Sequence, residues 1–571
     1  METDKATDKG EGDIQKSLNK YPELTRKLLT NRGITGEKEA EVFLNPDYDR
    51  DIHDPFLILS MQKAVDRILR AINAKENIVI YGDYDCDGIP GSVILHDFFK
   101  KIGYRNFENY IPHRHKEGYG LNIPAVEQFA QKGATLLITV DCGITDVDEV
   151  ARAQALGIDV IVTDHHLPQE ILPDAYAILN SKQEGDTYPD NMLCGAGVAW
   201  KLVSALLQRG SFDVPKGWEK WLLDMAGLST IADMVPLKNE NRVLAHYGLK
   251  VLRKSKRPGL LKLLRKMSVE QNHLTEDDIG FMIAPRINAA SRMGVPMEAF
   301  RLLSTEDEVL AGELSDHLHK INDERKLTVA NIMKETKKML THRELKSVIV
   351  IGNPTWRLGV LGIVASNICE EYARPVFVWG REESNCIKGS CRSDGSVNVV
   401  ELMTSVREEL FINAGGHELA GGFSISHDNI HTLEDELALA YEKVKHGGLR
   451  NGKELPIDAS LSLDEVTWNT YGEVERLAPF GIGNHKPTFL FENIKIEGVR
   501  HFGKEKNHLG LDFKNSGGRD VSAIGFFMDG DSFPGISVAE SERITLVATL
   551  EKSLFRGRRE LRLRIVEIRN V

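Results

Sequence analysis

Three short apolar segments, residues 78–81, 136–140 and 160–162, each lead into aspartate, and helix-like segments separate them. Strands that alternate with helices of this length are joined by right-handed crossovers, and they form a parallel sheet covered by helices. Ligands of such sheets bind beyond the carboxyl ends of the strands. The sequence therefore predicts an α/β fold with a polar site where these segments end.

The composition indicates an ordinary globular chain of several domains. Its 571 residues exceed one compact core, and 42% hydrophobic with 27% charged residues excludes collagen-like, coiled-coil and mostly disordered chains. No apolar stretch approaches the roughly 20 residues that span a bilayer. The N-terminal residues lack the features of a secretory signal, so a cytoplasmic location is expected. Six scattered cysteines without CxxC spacing predict reduced thiols.

The net charge of -12 argues against a basic nucleic-acid scaffold. A groove-binding enzyme, however, needs positive potential only along its groove, and carboxylates around metal ions add negative charge that the ions cancel. The overall charge therefore leaves an enzyme acting on an anionic substrate open.

The pattern changes along the chain predict five parts. The order is an N-terminal helical lead-in, a parallel-sheet α/β domain, a connecting helical segment with a long helix from about 306 to 340, a second α/β domain and a β-rich domain. Five strand-like segments in the last part predict an OB-like barrel, after a Gly-rich linker at 447–453. The expected bounds are 1–45, 46–270, 271–340, 341–446 and 455–571.

The most informative local sequence is Tyr81-Gly82-Asp83-Tyr84-Asp85-Cys86-Asp87-Gly88, in which three aspartates alternate. In an extended backbone, alternate side chains point the same way, so Asp83, Asp85 and Asp87 are expected to converge. Carboxylates that close together repel unless a divalent ion holds them ionised. A lone DxD is more often a turn or a helix cap.

Two further strand ends and one apolar segment supply matching groups. Asp141 and the triplet Asp164-His165-His166 follow the other two strands, and Asp233 lies in an apolar segment where a charge needs a partner. Oxygen-rich sites with imidazoles suit Mn²⁺ or Mg²⁺ better than Zn²⁺. The number of aspartates makes two ions plausible, the arrangement that serves in-line displacement at phosphorus.

Several motifs resemble those of a known family. GDYDCDG (82–88), VDCG (140–143), TDHH (163–166) and ADMVP (232–236) are similar to the successive motifs of the DHH phosphoesterase superfamily. Further segments narrow the resemblance to the RecJ single-strand-specific exonucleases, and together they cover nearly the full length. These are PHRHKEGYGLN (112–122), CGAGVAWKL (194–202), PRINAASRMG (285–294), GVLGIVAS (359–366), GSCRS (389–393), GGHELAGGF (415–423) and PFGIGN (479–484).

The resemblance implies an exonuclease that hydrolyses single-stranded DNA, 5′ to 3′, in DNA repair and recombination, with two divalent ions, Mn²⁺ preferred or Mg²⁺. The second and fourth parts would be a DHH catalytic domain and a DHHA1 substrate-binding domain. His166 would face the phosphate, where it would stabilise the transition state or protonate the leaving 3′ oxygen. Asp141 would bridge the ions, and Asp83 would be a ligand or a close neighbour. The implied metal ligands are Asp85, Asp87, Asp141, His165 and Asp233.

A second set of residues is expected to hold the substrate. Arginines near Gly-rich turns bind phosphates through paired hydrogen bonds, although Arg286 and Arg292 could instead pair with acids across the interface between the lobes. Tyr119, like Tyr81 and Tyr84, could stack on bases or simply pack in the core. The alternating tract Arg556–Arg564 would give the barrel a cationic face. The expected substrate-binding residues are Arg114, Tyr119, Arg286, Asn288, Arg292, Ser390, Arg392 and His417.

Two other functions compete with this one. A DHH phosphodiesterase acting on short oligoribonucleotides or cyclic dinucleotides would need no barrel. A noncatalytic relative in a replication complex would be free to lose metal ligands, whereas here every ligand position is filled. For the exonuclease, single-strand-binding protein and a helicase would be natural partners.

Overall fold

The computed structural model describes residues 18–341, 343–381, 386–445, 456–503, 506–528, 533, 536–553 and 559–571. The N-terminal tail, the expected linker at 447–453 and residues 556–558 of the basic tract lie outside these ranges. Among the helices of the described ranges, none combines the length and the apolar character needed to cross a bilayer.

Five parallel strands form the first sheet, in the order β2-β1-β3-β4-β5. Ile78 and Ile80 of β1 face one hydrophobic core, and Val79 and Tyr81 face the other, so both faces of the sheet are covered. The expected parallel α/β fold is confirmed. The sequence pattern missed the edge strand β2, whose four residues are all only half-buried. The strands are β1 Asn77–Gly82, β2 Phe107–Tyr110, β3 Ala134–Val140, β4 Asp159–Thr163 and β5 Ala177–Leu179.

Helices precede, connect and follow these strands. Single-turn 3₁₀ segments lie at Pro55–Leu57, Trp218–Leu222 and Gln271–His273, and a π-helix spans Ile279–Ile283. The α-helices are α1 Glu23–Thr30, α2 Glu37–Leu44, α3 Tyr48–Asp51, α4 Met61–Ala74, α5 Gly88–Lys101, α6 Ile123–Gln131, α7 Val147–Ala155, α8 Gly195–Arg209, α9 Leu223–Ala232, α10 Asn239–Leu252, α11 Pro258–Lys266, α12 Glu276–Asp278, α13 Ala284–Met293 and α14 Pro296–Ser304.

One long helix, α15 (Glu308–Leu340), connects the two α/β lobes. The Asp307 side chain caps its first turn by accepting hydrogen bonds from two backbone N–H groups. Leu318 packs into the core of the first lobe, whereas Ile332 packs into that of the second. The same helix therefore lines both lobes, as expected of a connector.

The second lobe contains a mixed sheet in the order β6-β7-β8-β10-β9, with β9 at one edge. Only the β6–β7 pair is parallel. Helix α16 covers one face of the sheet, and α17 and α18 cover the other. The elements are β6 Ile349–Gly352, α16 Leu358–Tyr372, β7 Val376–Arg381, β8 Cys386–Arg392, α17 Val399–Thr404, β9 Phe411–His417, β10 Ala420–Ser426 and α18 Leu433–Val444.

The C-terminal part is the expected OB-like barrel, which is confirmed. Its sheet has the order β11-β12-β16-β17-β15-β14-β13. The first of the five expected strands, 489–498, corresponds to β12, whereas β13 and the two-residue strand β11 were not expected. The elements are β11 Ala459–Ser460, the 3₁₀ turn Leu463–Glu465, α19 Trp468–Glu475, β12 Phe489–Lys495, β13 Gly498–Phe502, β14 His508–Lys514, β15 Asp520–Phe526, β16 Arg543–Ser553 and β17 Glu560–Arg569.

The N-terminal helices belong to the same body as the barrel. Leu28 and Leu29 of α1 and Leu44 of α2 share one hydrophobic core with Phe489 and Phe491 of β12. The lead-in therefore packs on the barrel, although more than 400 residues of the chain separate the two.

The barrel contacts the first lobe next to Asp233. The Leu237 N–H donates to the Ile482 carbonyl at 2.7 Å, and Arg242 donates to the Ala478 carbonyl at 3.0 Å. A Cβ on Gly481 would lie 2.8 Å from the Leu237 side chain, so only glycine allows this approach. The PFGIGN segment thus supports the loop that follows Asp233.

Candidate metal centre and substrate pocket

Two groups of potential ligands meet at the carboxyl ends of the first-sheet strands. One ligand atom each from Asp83, Asp85 and Asp141 lie within 4.8 Å of one another, and the same holds for Asp87, His165 and Asp233. The six predicted ligands therefore lie together, although they come from residues 150 positions apart in the chain.

Asp141 is close to both groups. Its Oδ1 atom is 3.1 Å from His165 Nε2 and 3.7 Å from His166 Nδ1. His165 Nε2 is also 3.7 Å from Asp87 Oδ2 and from Asp233 Oδ2. The Asp141 carboxylate thus lies between the two ligand groups.

The three alternating aspartates do not converge in the way that the sequence predicts. The strand ends at Gly82, and residues 83–87 form a turn instead of an extended segment. Asp85 accepts the backbone N–H groups of Asp87 at 2.8 Å and Gly88 at 3.2 Å, at the start of α5. Because the turn rotates Asp87 away from Asp83 and Asp85, Asp87 joins the other ligand group.

The amino-terminal end of α8 holds Asp87. Its carboxylate accepts the N–H groups of Gly195 at 2.6 Å and Ala196 at 2.8 Å, donors that a helix leaves free at its start. A Cβ on Gly195 would lie 2.6 Å from the Asp141 Cβ, so glycine lets the helix end approach both carboxylates. Sequence reasoning missed this role, although the CGAGVAWKL segment was among the family-like motifs.

Asp164 positions the second histidine. This fully buried carboxylate accepts hydrogen bonds from the backbone N–H groups of Ile144, His165 and His166, and it lies 2.8 Å from His166 Nδ1. Tyr119 Oη is 3.0 Å from the same ring nitrogen, and its hydroxyl donates to the Asp141 carbonyl at 3.1 Å. The TDHH motif drew attention to Asp164 in the sequence, but it did not indicate that this residue orients His166.

Burial dominates the electrostatics of the ligand groups. It raises the pKa of Asp83 and Asp141 well above the usual range, and repulsion from neighbouring carboxylates adds to this effect. For the same two reasons the pKa of Asp87 rises to about 6 and that of Asp233 to about 9. Burial lowers the pKa of His165 to about 3, which keeps its imidazole neutral, as a metal ligand requires.

His166 behaves differently from its neighbour. Burial disfavours its imidazolium form, but the hydrogen bond and the charge of Asp164 outweigh burial and raise the pKa of His166 above the ordinary value. Conversely, bonding to His166 holds the pKa of Asp164 below the usual range despite its burial. The pair therefore keeps a proton between Asp164 and the His166 ring.

The donor set fits hard divalent cations. Asp83 Oδ1 and Asp141 Oδ1 are buried and have no hydrogen-bond partner. Unpartnered carboxylate oxygens packed together are costly unless a cation neutralises them. Five carboxylates with one neutral imidazole match the preferences of Mn²⁺ and Mg²⁺.

We expect Mn²⁺ to stabilise the protein in a pH-dependent way. The raised pKa values of Asp87 and Asp233 favour the folded metal-free state below the unfolded pKa near 4, and this contribution is lost as pH rises through about 6 and about 9. Bound cations reverse the penalty on the ionised carboxylates. Calorimetry at pH 6 to 9 should show a melting-temperature increase of about 5–10 °C with excess Mn²⁺, growing with pH. An increase that shrinks with pH would contradict this.

A pocket of about 260 Å³ opens beside these carboxylates. Four of the eight predicted substrate-binding residues line it: Arg114, Tyr119, Asn288 and Arg292. The other four, Arg286, Ser390, Arg392 and His417, are not among its lining residues. The predicted set is thus divided between the pocket and its surroundings.

Within the part of the chain that the structure describes, the pocket arginines form no ion pair with an acidic side chain. Arg114 lies over the Tyr84 ring, 4.9 Å from its centroid, and Arg292 donates to the Gly359 carbonyl of α16 at 3.1 Å. Within the described ranges neither Arg286 nor Arg292 forms an ion pair, so the alternative pairing across the lobes is wrong for these residues. Arg286 is buried and donates to His319 of α15 and to the Met282 carbonyl.

The remaining predicted residues lie on the second lobe or in the core. Ser390 and Arg392 end β8, where the Arg392 guanidinium donates to Ser366 and to the Cys391 carbonyl. His417 is exposed on the edge strand β9. Tyr81 is fully buried and donates to the Gly120 carbonyl, so of its two alternatives the structure supports packing in the core and not stacking on bases.

Family models match three parts of the chain. The DHH family N-terminal domain matches residues 77–230, the DHHA1 domain matches 345–445, and the RecJ OB domain matches 457–567. The three matches follow the order of the two α/β lobes and the barrel.

Relatives cover most of the chain. The single-stranded-DNA-specific exonuclease RecJ of Haemophilus influenzae is 32% identical over 96% of this chain and 96% of that protein. RecJ of Bacillus subtilis is 37% identical over 95% of this chain and 67% of that protein. The crystal structure of Thermus thermophilus RecJ with Mn²⁺ superposes with a TM-score of 0.79 at 26% identity, covering 98% of this chain and 78% of that one. A Mg²⁺ complex of the same protein matches with a TM-score of 0.73 at 25% identity, covering 98% of this chain and 76% of that one.

Proposed function

Because this chain belongs to the RecJ family of single-stranded-DNA-specific exonucleases, we propose that it removes nucleotides from single-stranded DNA by metal-dependent phosphodiester hydrolysis. The observation that carries the proposal is the meeting of two ligand groups beside a pocket that arginines also line. A 5′ to 3′ direction and a role in DNA repair and recombination are part of the proposal and rest on the family.

The two ligand groups would hold two ions. Asp83, Asp85 and Asp141 would bind one, and Asp87, His165 and Asp233 the other, with Asp141 close to both. When bound, Mn²⁺ or Mg²⁺ supplies Lewis-acid stabilisation of the charge that develops on the phosphate and makes water nucleophilic near neutral pH. The site requires no nucleophile from the protein, and none of the residues lining the pocket is serine, threonine or cysteine.

In this proposal His166 is the hydrogen-bond or proton donor to the substrate. Asp164 occupies Nδ1, so Nε2 is the nitrogen left to meet the substrate. The raised pKa of His166 favours an imidazolium that can hydrogen-bond the phosphate or protonate the departing 3′ oxygen. The Tyr119 hydroxyl, which contacts both His166 and the Asp141 carbonyl, fixes the ring against the ligand groups.

The arginines would orient the phosphodiester. Arg114 and Arg292, with Asn288, face the pocket, and the buried Asn288 Oδ1 has no partner in the protein. Ser390, Arg392 and His417 would approach from the second lobe. Repulsion from Arg392 helps to lower the pKa of Arg292, and repulsion from Arg114 helps to lower that of Arg392, which supports a role for Arg392 on the same phosphate path. With the aspartates of the pocket neutralised by cations, the arginine charges would favour an anionic chain over a neutral substrate.

The domain functions follow from the same proposal. The DHH part, 46–270, would carry out hydrolysis, the segment 271–340 would connect the lobes, the DHHA1 part, 341–446, would hold the substrate, and the barrel, 455–571, would capture single strands, with 1–45 packed on it. Six free cysteines fit a cytoplasmic site of action. Single-strand-binding protein and a helicase would be partners that supply the substrate.

End-labelled substrates test the activity and its direction. With Mn²⁺, 5′-labelled single-stranded DNA should release labelled mononucleotides at once, whereas 3′-labelled DNA should give a ladder that shortens gradually. Blunt duplex DNA of the same sequence should persist. Chelator should stop the reaction, because the carboxylate groups would lose their ions.

Two outcomes would replace the proposal. Rapid digestion of RNA dinucleotides with untouched long DNA would identify a short-oligonucleotide phosphodiesterase. Inertness toward every substrate with Mn²⁺ and Mg²⁺ would favour a noncatalytic subunit.

A further inference from the structure

The connecting helix carries an arginine, Arg325, that has no role in the proposed mechanism. It lies midway along α15, half-buried, with its Nε atom fully buried and without a hydrogen-bond partner. It forms no ion pair with any acidic side chain of the described ranges. Burial without an anion lowers the pKa of its guanidinium. A buried guanidinium N–H without an acceptor is uncommon, because guanidinium burial is normally offset by a carboxylate or a carbonyl.

The surroundings of Arg325 make the cation more costly. Repulsion from Arg325 contributes to the lowered pKa values of both Arg286 and Arg292. The two acids that precede Arg325 on the helix lie near other cations: Asp323 is 3.5 Å from His319 Nε2 and 3.7 Å from Lys326 Nζ, and Glu324 is 4.0 Å from Lys320 Nζ. Asp323 acts on Arg286 and Asp85 acts on Arg292, but within the described ranges none of the three arginines forms an ion pair. An external anion would therefore stabilise this group of guanidinium charges.

The position of Arg325 relative to the pocket indicates which kind of anion it would bind. Arg292 lines the pocket and interacts electrostatically with Asp85 as well as with Arg325. Arg325 itself is outside the lining. An anion bound by Arg325 would thus lie beside the scissile group rather than on it. The next phosphate of the same strand satisfies this condition, whereas a free mononucleotide in the pocket does not.

A second polar residue on this helix points the same way. Asn322, one turn before Arg325 and on the same side of α15, is fully buried with both amide atoms unpartnered. Helix α15 packs along α13, which carries Arg286, Asn288 and Arg292. The α13–α15 contact thus contains hydrogen-bonding groups that the protein itself does not satisfy.

We propose that Arg325 is a further substrate-positioning residue, which binds a backbone phosphate of the single strand adjacent to the one held by Arg292. This rests on the proposed nuclease function. The connecting helix then forms one wall of the substrate path, and the enzyme engages at least two successive phosphates before it cleaves. The contact reads the backbone and not the bases, so it is independent of sequence.

Arg325→Gln tests the proposal through length and salt dependence. Binding of fluorescent oligothymidylates with phosphorothioate linkages, which slow hydrolysis, is measured with Mn²⁺ for 2-mers and 12-mers. We expect about ten-fold weaker binding of the 12-mer with little change for the 2-mer. The slope of log K against log salt should fall by about 0.7, the value for one phosphate of a single strand. Arg325→Lys should restore the slope and only part of the affinity.

Lys320→Gln is the matched control, because it removes one charge from an exposed position of the same helix. It should leave affinity and slope unchanged. Unchanged binding of the 12-mer by Arg325→Gln would overturn the inference, as would an equal loss for both lengths with a lower melting temperature, which indicates a purely structural role. Failure of the wild-type protein to bind or cleave single strands would instead overturn the proposed function.

Discussion

Replacing Asp141 with alanine should lower single-strand nuclease activity by at least about 1,000-fold at saturating Mn²⁺. Asp141 has a carboxylate oxygen 3.1 Å from His165 Nε2 and a ligand atom within 4.8 Å of those of Asp83 and Asp85, so it is near both ligand groups. Its loss would weaken both ions at once, whereas loss of a peripheral ligand weakens one. The rate of nucleotide release from end-labelled DNA measures the effect.

The same variant should lose most of the thermal stabilisation by Mn²⁺. In the metal-free state, however, it should be at least as stable as the wild type, because one buried and repelled carboxylate has been removed. Asp148→Ala, at an exposed position on α7, is the matched control and should keep both activity and stabilisation. Wild-type Mn²⁺ stabilisation in Asp141→Ala would show that the two ligand groups do not share this carboxylate.

The architecture was largely predictable because each part has its own periodicity. Buried parallel strands such as β3 and β4 consist of continuous β-branched and apolar residues, and the long helix α15 lacks internal proline. The edge strand β2 was missed because a half-buried strand of four residues has no distinctive pattern. The packing of α1 and α2 on the barrel joins residues more than 400 positions apart, and local sequence carries no signal for it.

The residues of the candidate site could be predicted from the sequence, but their arrangement could not. Strand ends of a parallel sheet meet at one edge, so Asp141 and His165 could be placed together from the order of the segments alone. The division of Asp85 and Asp87 between two ligand groups could not be predicted from sequence, because it depends on a turn and on the α8 terminus that holds Asp87. Arg325 was missed because a single arginine in a charged helix resembles its solvated neighbours.

Replacing Asp164 with asparagine should lower kcat by about 100- to 1,000-fold with little change in KM. Asparagine removes the negative charge that raises the pKa of His166. Its NH₂ group would also face one of the two N–H groups, of Ile144 or of the His166 ring, whose hydrogen bonds the Asp164 oxygens accept. The imidazole then loses its orientation and its proton, as loss of an orienting carboxylate does in other histidine-dependent enzymes. Mn²⁺ stabilisation should persist, since Asp164 belongs to neither ligand group.

A substrate with a 3′-bridging sulfur separates the two roles open to His166. A thiolate leaves without protonation far more readily than an alkoxide, because its conjugate acid has a pKa near 8.5. If His166 protonates the leaving oxygen, Asp164→Asn should cleave the sulfur substrate within about ten-fold of the wild-type rate. If His166 instead stabilises charge on the phosphate, the deficit should remain as large as on the natural substrate. Asp148→Asn should behave as wild type on both, and a wild-type rate for Asp164→Asn on ordinary DNA would remove His166 orientation from the mechanism.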